Sequence, residues 1–137
     1  MMTNWFTAAL VSLFSFGLWG FFTKLAVMHI DSKSALVYQT LGVLLVGTLT
    51  LGLMNFKLAM NYKGFSYALL TGAAYAIGCG FYFIAASKGK IITVVTLTAL
   101  YPLVTILLAY ILLKEMISVK QWIGIALAFV AIMLMST

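Results

Sequence analysis

Arginine is absent from this chain of 137 residues, and acids are nearly so: two Asp and Glu stand against eight basic residues, all lysine. Charged residues make up only 7% of the chain and hydrophobic ones 65%. A soluble domain carries about a quarter charged residues, so the scarcity of charge excludes a water-solvated surface. The formal net charge of +6 does not indicate nucleic acid, because the lysines are dispersed and no arginine cluster exists. One cysteine, Cys79, excludes an internal disulfide and reads as a small apolar filler. One histidine and two acids offer no metal-ligand cluster, no nucleophile–base pair and no phosphate loop. Neither an enzyme, a metal site nor a bound cofactor has support.

Five charge-free apolar runs fill the chain: Met1–Thr23, Ser34–Phe56, Gly64–Ser87, Ile91–Leu113 and Gln121–Thr137. A helix needs roughly 20 residues to cross a ~30 Å hydrocarbon core. The first four runs clear this, and the fifth reaches it only if Val119 and Lys120 begin the helix. The alternation of a β-barrel strand is missing. The first run lacks the basic segment and small-residue cleavage site of a signal peptide and reads as the first span. The expected fold is an all-α integral membrane protein, a compact bundle of five transmembrane helices with short loops. It forms a single domain over 1–137, with helices at about 4–28, 34–56, 62–87, 91–113 and 119–136. Asp31 or Ser32, Asn61, and a Ser118–Gln121 capping box supply the helix starts.

The lysines split evenly between the two sides. Lys57, Lys63, Lys114 and Lys120 fall on one, and Lys24, Lys33, Lys88 and Lys90 on the other. The excess of cytoplasmic lysine that normally sets orientation is therefore missing. Setting Lys24 aside as intramembrane leaves four against three. An odd number of spans puts the termini on opposite faces. Insertion both ways up, with function as an antiparallel homodimer, follows as an expectation. A single orientation from a weak bias is the alternative.

Several residues inside the spans bear chemistry. Lys24 lies five residues before His29, about 7.5 Å along a helix, and either snorkels to the interface or contacts a carboxylate or phosphate. Gly17 and Gly20 share its face. Ser12, Ser15, Trp19 and Thr23 form a neighbouring stripe that either packs on another helix or lines a cavity. Gly64, Ala68, Gly72, Ala76 and Gly80 place a small residue at every fourth position of the third span, a close-packing signal. Pro102 lacks the N–H that would bond the Thr98 carbonyl, which predicts a kink. Thr98, Tyr101 and Thr105 lie on that side and either receive a polar group or satisfy themselves. No Asp or Glu lies within any run, so the buried carboxylate of proton-coupled cation export is missing.

Three segments carry a family resemblance: Gly17-Leu-Trp-Gly-Phe-Phe-Thr-Lys24, the stretch from Tyr101-Pro-Leu-Val-Thr to Leu-Leu-Lys-Glu115, and Gln121-Trp-Ile-Gly-Ile-Ala-Leu-Ala128. In this order they resemble the EamA domain of the drug/metabolite transporter superfamily, in its single-copy five-helix bacterial and archaeal form. The resemblance implies a secondary transporter for a small neutral or anionic, amino-acid-like metabolite, in the cell membrane of a prokaryote. It also implies a central cavity, to which Trp19, Lys24, Tyr75, Tyr101 and Thr105 are assigned. The alternatives are a non-transporting membrane subunit of fixed orientation and a half-transporter that needs a separately encoded partner. The expected partners are the lipid bilayer, a second copy and a small-molecule substrate.

Overall fold

A computed structural model describes residues 4–135, which form helices joined by short loops, with no strand among the described residues. The all-α expectation holds. Helices α1 (Trp5–His29), α2 (Ser32–Leu53), α3 (Tyr62–Lys88), α4 (Ile91–Thr98), α5 (Tyr101–Leu108) and α6 (Val119–Met135) follow in order, with a π-helical turn at Ala109–Leu113. They fall into two compact units, one ending at Lys88 and the other starting at Gly89.

In the first unit, α1, α2 and α3 each have the length and apolarity to cross a membrane. Their ends are set by side chains that compete with the backbone. The Asn4 carboxamide oxygen accepts from the Phe6 N–H at 3.4 Å and opens α1. Asp31 Oδ1 accepts from the N–H groups of Lys33 and Ser34, both at 3.0 Å, and caps α2. Ser34 Oγ also donates to the other Asp31 oxygen. That hydroxyl, followed by the Ser34 backbone N–H, holds the Asp31 carboxyl below its ordinary value. Asn61 Oδ1 accepts from the Gly64 N–H at 3.0 Å and starts α3. These are the orphan donors that a helix start leaves unpaired. α2 stops at Leu53, where Asn55 and Phe56 enter the left-handed region at φ 52° and 59°. The Phe56 N–H closes this end on the Leu51 carbonyl at 3.0 Å.

The packed centre of this unit lies toward the α1 C-terminus. Ala35, Cys79 and Phe83 are buried, with Trp19, Ala26, Val27 and Leu36 against them. Gly20 and Thr23 of α1 and Tyr82 and Ala86 of α3 are buried as well. The outward residues, among them Phe14, Phe21, Leu44 and Phe81, are exposed. In lipid such surface is not penalised, so association depends on close packing and interhelical hydrogen bonds.

In the second unit the fourth span covers Ile91–Leu113 but is not one helix. α4 ends at Thr98, the chain turns through Ala99 and Leu100, and α5 restarts at Tyr101. Pro102 sits in the first turn of α5, where its missing N–H would be unpaired anyway. The ring cannot lie against the Thr98 carbonyl of a regular helix, so the regular hydrogen-bond pattern is broken here. The sequence predicts a bend here; the regular helix is interrupted over Ala99 and Leu100, which both keep right-handed helical φ and ψ. A second irregularity follows. The π-helical turn ends at Lys114, which is left-handed at φ 54°, and the Glu115 N–H reaches the Ala109 carbonyl at 3.4 Å. α6 opens on a reciprocal capping box: the Gln121 N–H donates to Ser118 Oγ at 3.3 Å and the Ser118 N–H to Gln121 Oε1 at 2.8 Å. At 17 residues α6 is apolar but shorter than the four spans.

Candidate functional site

Two stripes one helical turn apart meet in the first unit. Trp19 and Thr23 on α1 repeat at i and i+4, as do Tyr82 and Ala86 on α3, the spacing that stacks side chains along one face. Trp19 anchors the contact. Its indole Nε1–H donates to Gln39 Oε1 of α2 at 2.7 Å. Its ring lies against Tyr82 of α3 with centroids 4.6 Å apart. One side chain therefore ties all three helices together. Thr23 turns its hydroxyl back to the Trp19 carbonyl at 2.8 Å and needs no outside partner.

Lys24 lies one turn further along and takes neither of its two expected roles alone. Its Nζ donates to the Ala86 carbonyl at 2.8 Å. α3 ends at Lys88, so Ala86 is among the last four carbonyls that a helix cannot bond internally. A cation there also faces the negative end of the helix dipole. Beside it, Ser32 Oγ donates to the Phe83 carbonyl at 3.3 Å. The C-terminal turns of α3 are thus held from α1 and from the start of α2.

The other expected residues are placed differently. Tyr75 lies on α3 one turn before Cys79 and is 42% exposed. Ser15 returns its hydroxyl to the Val11 carbonyl at 2.8 Å, and a Cβ at Gly17 would meet nothing within 4 Å. The stripe on α1 is packed in its C-terminal half and open in its N-terminal half. Of the small residues on α3, Gly80 meets Leu36 at 3.5 Å from where a Cβ would stand. Gly72 has no neighbour within 4 Å, and Gly64 meets only Asn61. Ala68 and Ala76 are exposed.

Tyr101 and Thr105 lie on α5 in the second unit, both exposed. Thr98 donates its hydroxyl to the Val94 carbonyl at 2.8 Å and so satisfies itself. The second unit has its own cleft of about 480 Å³, walled by Pro102, Ile106, Ala109, Gly124 and Ala128, with Glu115 among its lining residues. Tyr110 and Trp122 meet edge to face at 6.3 Å in the same unit. Among the described residues no three His, Cys, Asp or Glu side chains group as metal ligands.

Gln39 and Tyr82 escape the sequence reading. Gln39 does leave a trace: it is the one carboxamide in the run Ser34–Phe56 apart from Asn55 at its end. A lone amide in an apolar span needs a partner. Tyr82 leaves none, since tyrosines are scattered through several spans.

The model of the EamA-like transporter family matches residues 3–137. An uncharacterized protein of Methanocaldococcus jannaschii is 30% identical over 93% of this chain and 91% of its own length. An uncharacterized transporter of Synechocystis is 37% identical over 76 residues, which is 56% of this chain and 22% of that protein. No solved structure matches. Apolar helices of spanning length, with a family match over nearly every residue, lead to one conclusion: this chain belongs to the EamA-like transporter family and is a multi-pass membrane transporter rather than an enzyme.

Proposed function

We propose that the chain is a secondary transporter for a small neutral or anionic metabolite of amino-acid type. It works by alternating access, as an antiparallel homodimer in the cytoplasmic membrane of a prokaryote. The observation that carries this reading is the interruption of the fourth span between Thr98 and Tyr101, close to the middle of Ile91–Leu113. Secondary transporters hold their substrates near the midplane where helices are discontinuous, and two inverted units rock about that site.

Further support comes from charge and surface. Lys24 is the one charged side chain more than a turn inside a span, which favours a solute that is not cationic. Trp19, Lys24, Tyr75, Tyr101 and Thr105 are the proposed cavity residues. α6, about 25 Å long at 1.5 Å per residue, serves as the fifth span with local thinning of the bilayer, so that 1–137 forms one membrane domain. Five spans and an even lysine split are the conditions for insertion both ways up. The face bearing Gly64, Ala68, Gly72 and Ala76 is uncovered within its own unit, and a second copy would cover it.

Reporters active on either side of the membrane, fused in turn to the C-terminus, test the topology. Both should be active, and activity of one alone would sink the antiparallel dimer. Purified protein in liposomes should move an amino acid or organic anion. A protein that moves none of them is not this transporter.

A further inference from the structure

Trp19 and Gln39 fix each other's chemistry. An indole offers one N–H and no acceptor, so the Gln39 atom facing it at 2.7 Å must be the carbonyl oxygen Oε1. The carboxamide is planar. With Oε1 committed to Trp19, Nε2 and its two hydrogens point away from that bond. Among the described residues Nε2 has no acceptor in this chain. Gln39 is half-buried, and no sealed side-chain nitrogen or oxygen lacks a partner. The amide hydrogens are therefore reachable from outside.

Surroundings decide what reaches them. Gln39 is seven residues into α2, which starts at Ser32, so it lies about 10 Å along the helix, below headgroup level in a ~30 Å core. Lipid tails carry no acceptor. Neither acid of the chain stands in α1, α2 or α3: Asp31 is occupied in capping α2, and Glu115 follows the fourth span. The adjacent Thr40 hydroxyl is spent on the Leu36 carbonyl at 2.9 Å. Beside the Trp19–Tyr82 pair the two Gln39 amide hydrogens are left open as donors.

We infer that Gln39 is a specificity-determining residue, whose Nε2 donates to a carboxylate oxygen of the transported solute. This rests on the transport reading. Trp19 thereby acts as a positioning residue: it selects which end of the amide the solute meets. A cationic solute without a carboxylate has nothing to accept from this group.

Two variants separate recognition from helix packing. Gln39→Glu keeps an oxygen for the Trp19 N–H but replaces the two amide hydrogens. Gln39→Met keeps the volume and loses both ends. The full chain, reconstituted in liposomes, is tested with the radiolabelled common amino acids, succinate and lactate, and its unfolding temperature is followed in detergent. Wild type should transport at least one probe with a half-saturation independent of pH near neutrality. Both variants should raise that half-saturation by about 10- to 100-fold, the worth of a hydrogen bond to a charged group. In Gln39→Glu the loss should deepen as pH rises, because the ionised carboxylate repels the probe, while at the acid end, with the side chain neutral, the unfolding temperature should match wild type. Wild-type half-saturation in both variants overturns the inference. So does a loss in Gln39→Met alone, with Gln39→Glu normal at every pH, since the residue would then only join helices. A wild type that moves no probe fails the transport reading itself, and the inference with it.

Discussion

Replacing Lys24 by methionine removes its bond to the Ala86 carbonyl, whose worth follows from its position. The Nζ–Ala86 carbonyl contact is 2.8 Å long and part-buried, and Ala86 is a terminal carbonyl of α3 that the helix cannot satisfy. Hydrogen bonds from charged donors contribute about 1.5–3 kcal/mol in soluble proteins. Interhelical hydrogen bonds in membranes average about 0.6, with a maximum near 1.7. Methionine keeps most of the stem that crosses the α1–α3 seam, so little packing is lost. Together these set the expected loss at about 1–2 kcal/mol, with Lys24→Arg retaining part of it. Reversible unfolding of the purified protein in mixed micelles, followed by tryptophan fluorescence, measures it. Hydrogen exchange at the end of α3 should rise in parallel, because that turn loses its tie to α1. Unchanged stability and exchange in Lys24→Met would refute the clamp and leave Lys24 as a snorkelling or solute-binding cation. Loss of transport with no loss of stability would favour the solute-binding role.

Three other outcomes are expected. Pro102→Ala restores an N–H to the Thr98 carbonyl and permits one continuous fourth span. Stability should hold or rise by about 1 kcal/mol while transport falls; unaltered transport would remove the interruption from the mechanism. Asp31→Ala deletes the α2 cap and should lower the unfolding temperature at neutral pH. The folded state holds the Asp31 carboxyl below its ordinary 3.8, so its contribution is complete above that value and disappears as pH falls through the lower folded-state value. The difference between variant and wild type should close in acid, and a gap independent of pH would count against the cap. A Cβ at Gly72 would meet no neighbouring atom within 4 Å and the position is exposed, so with Gly72→Leu the monomer should fold as before while crosslinked or sedimenting dimer declines. A dimer insensitive to this change would exclude that face of α3 as the contact.

Composition and pattern by themselves determine the class of this protein. Charge too sparse to coat a surface and four runs long enough to cross a bilayer leave a helical membrane protein as the physical solution. Local chemistry is equally legible in the sequence: Asp31, Asn61 and the Ser118–Gln121 pair stand where backbone donors need them, because capping depends on neighbours within four residues. A proline without an N–H marks the fourth span as irregular. How the backbone relieves the clash, with Ala99 and Leu100 leaving the regular pattern between Thr98 and Tyr101, is not encoded by spacing. The partners of Trp19 and Lys24 are hidden from the sequence for a related reason. Gln39 is 20 residues from Trp19, and Ala86 is 62 from Lys24. Helical periodicity says which face a residue occupies but not which face of another helix it meets. Only the packing of α1 against α2 and α3 turns an isolated amide into an oriented donor and an intramembrane lysine into the cap of a distant helix.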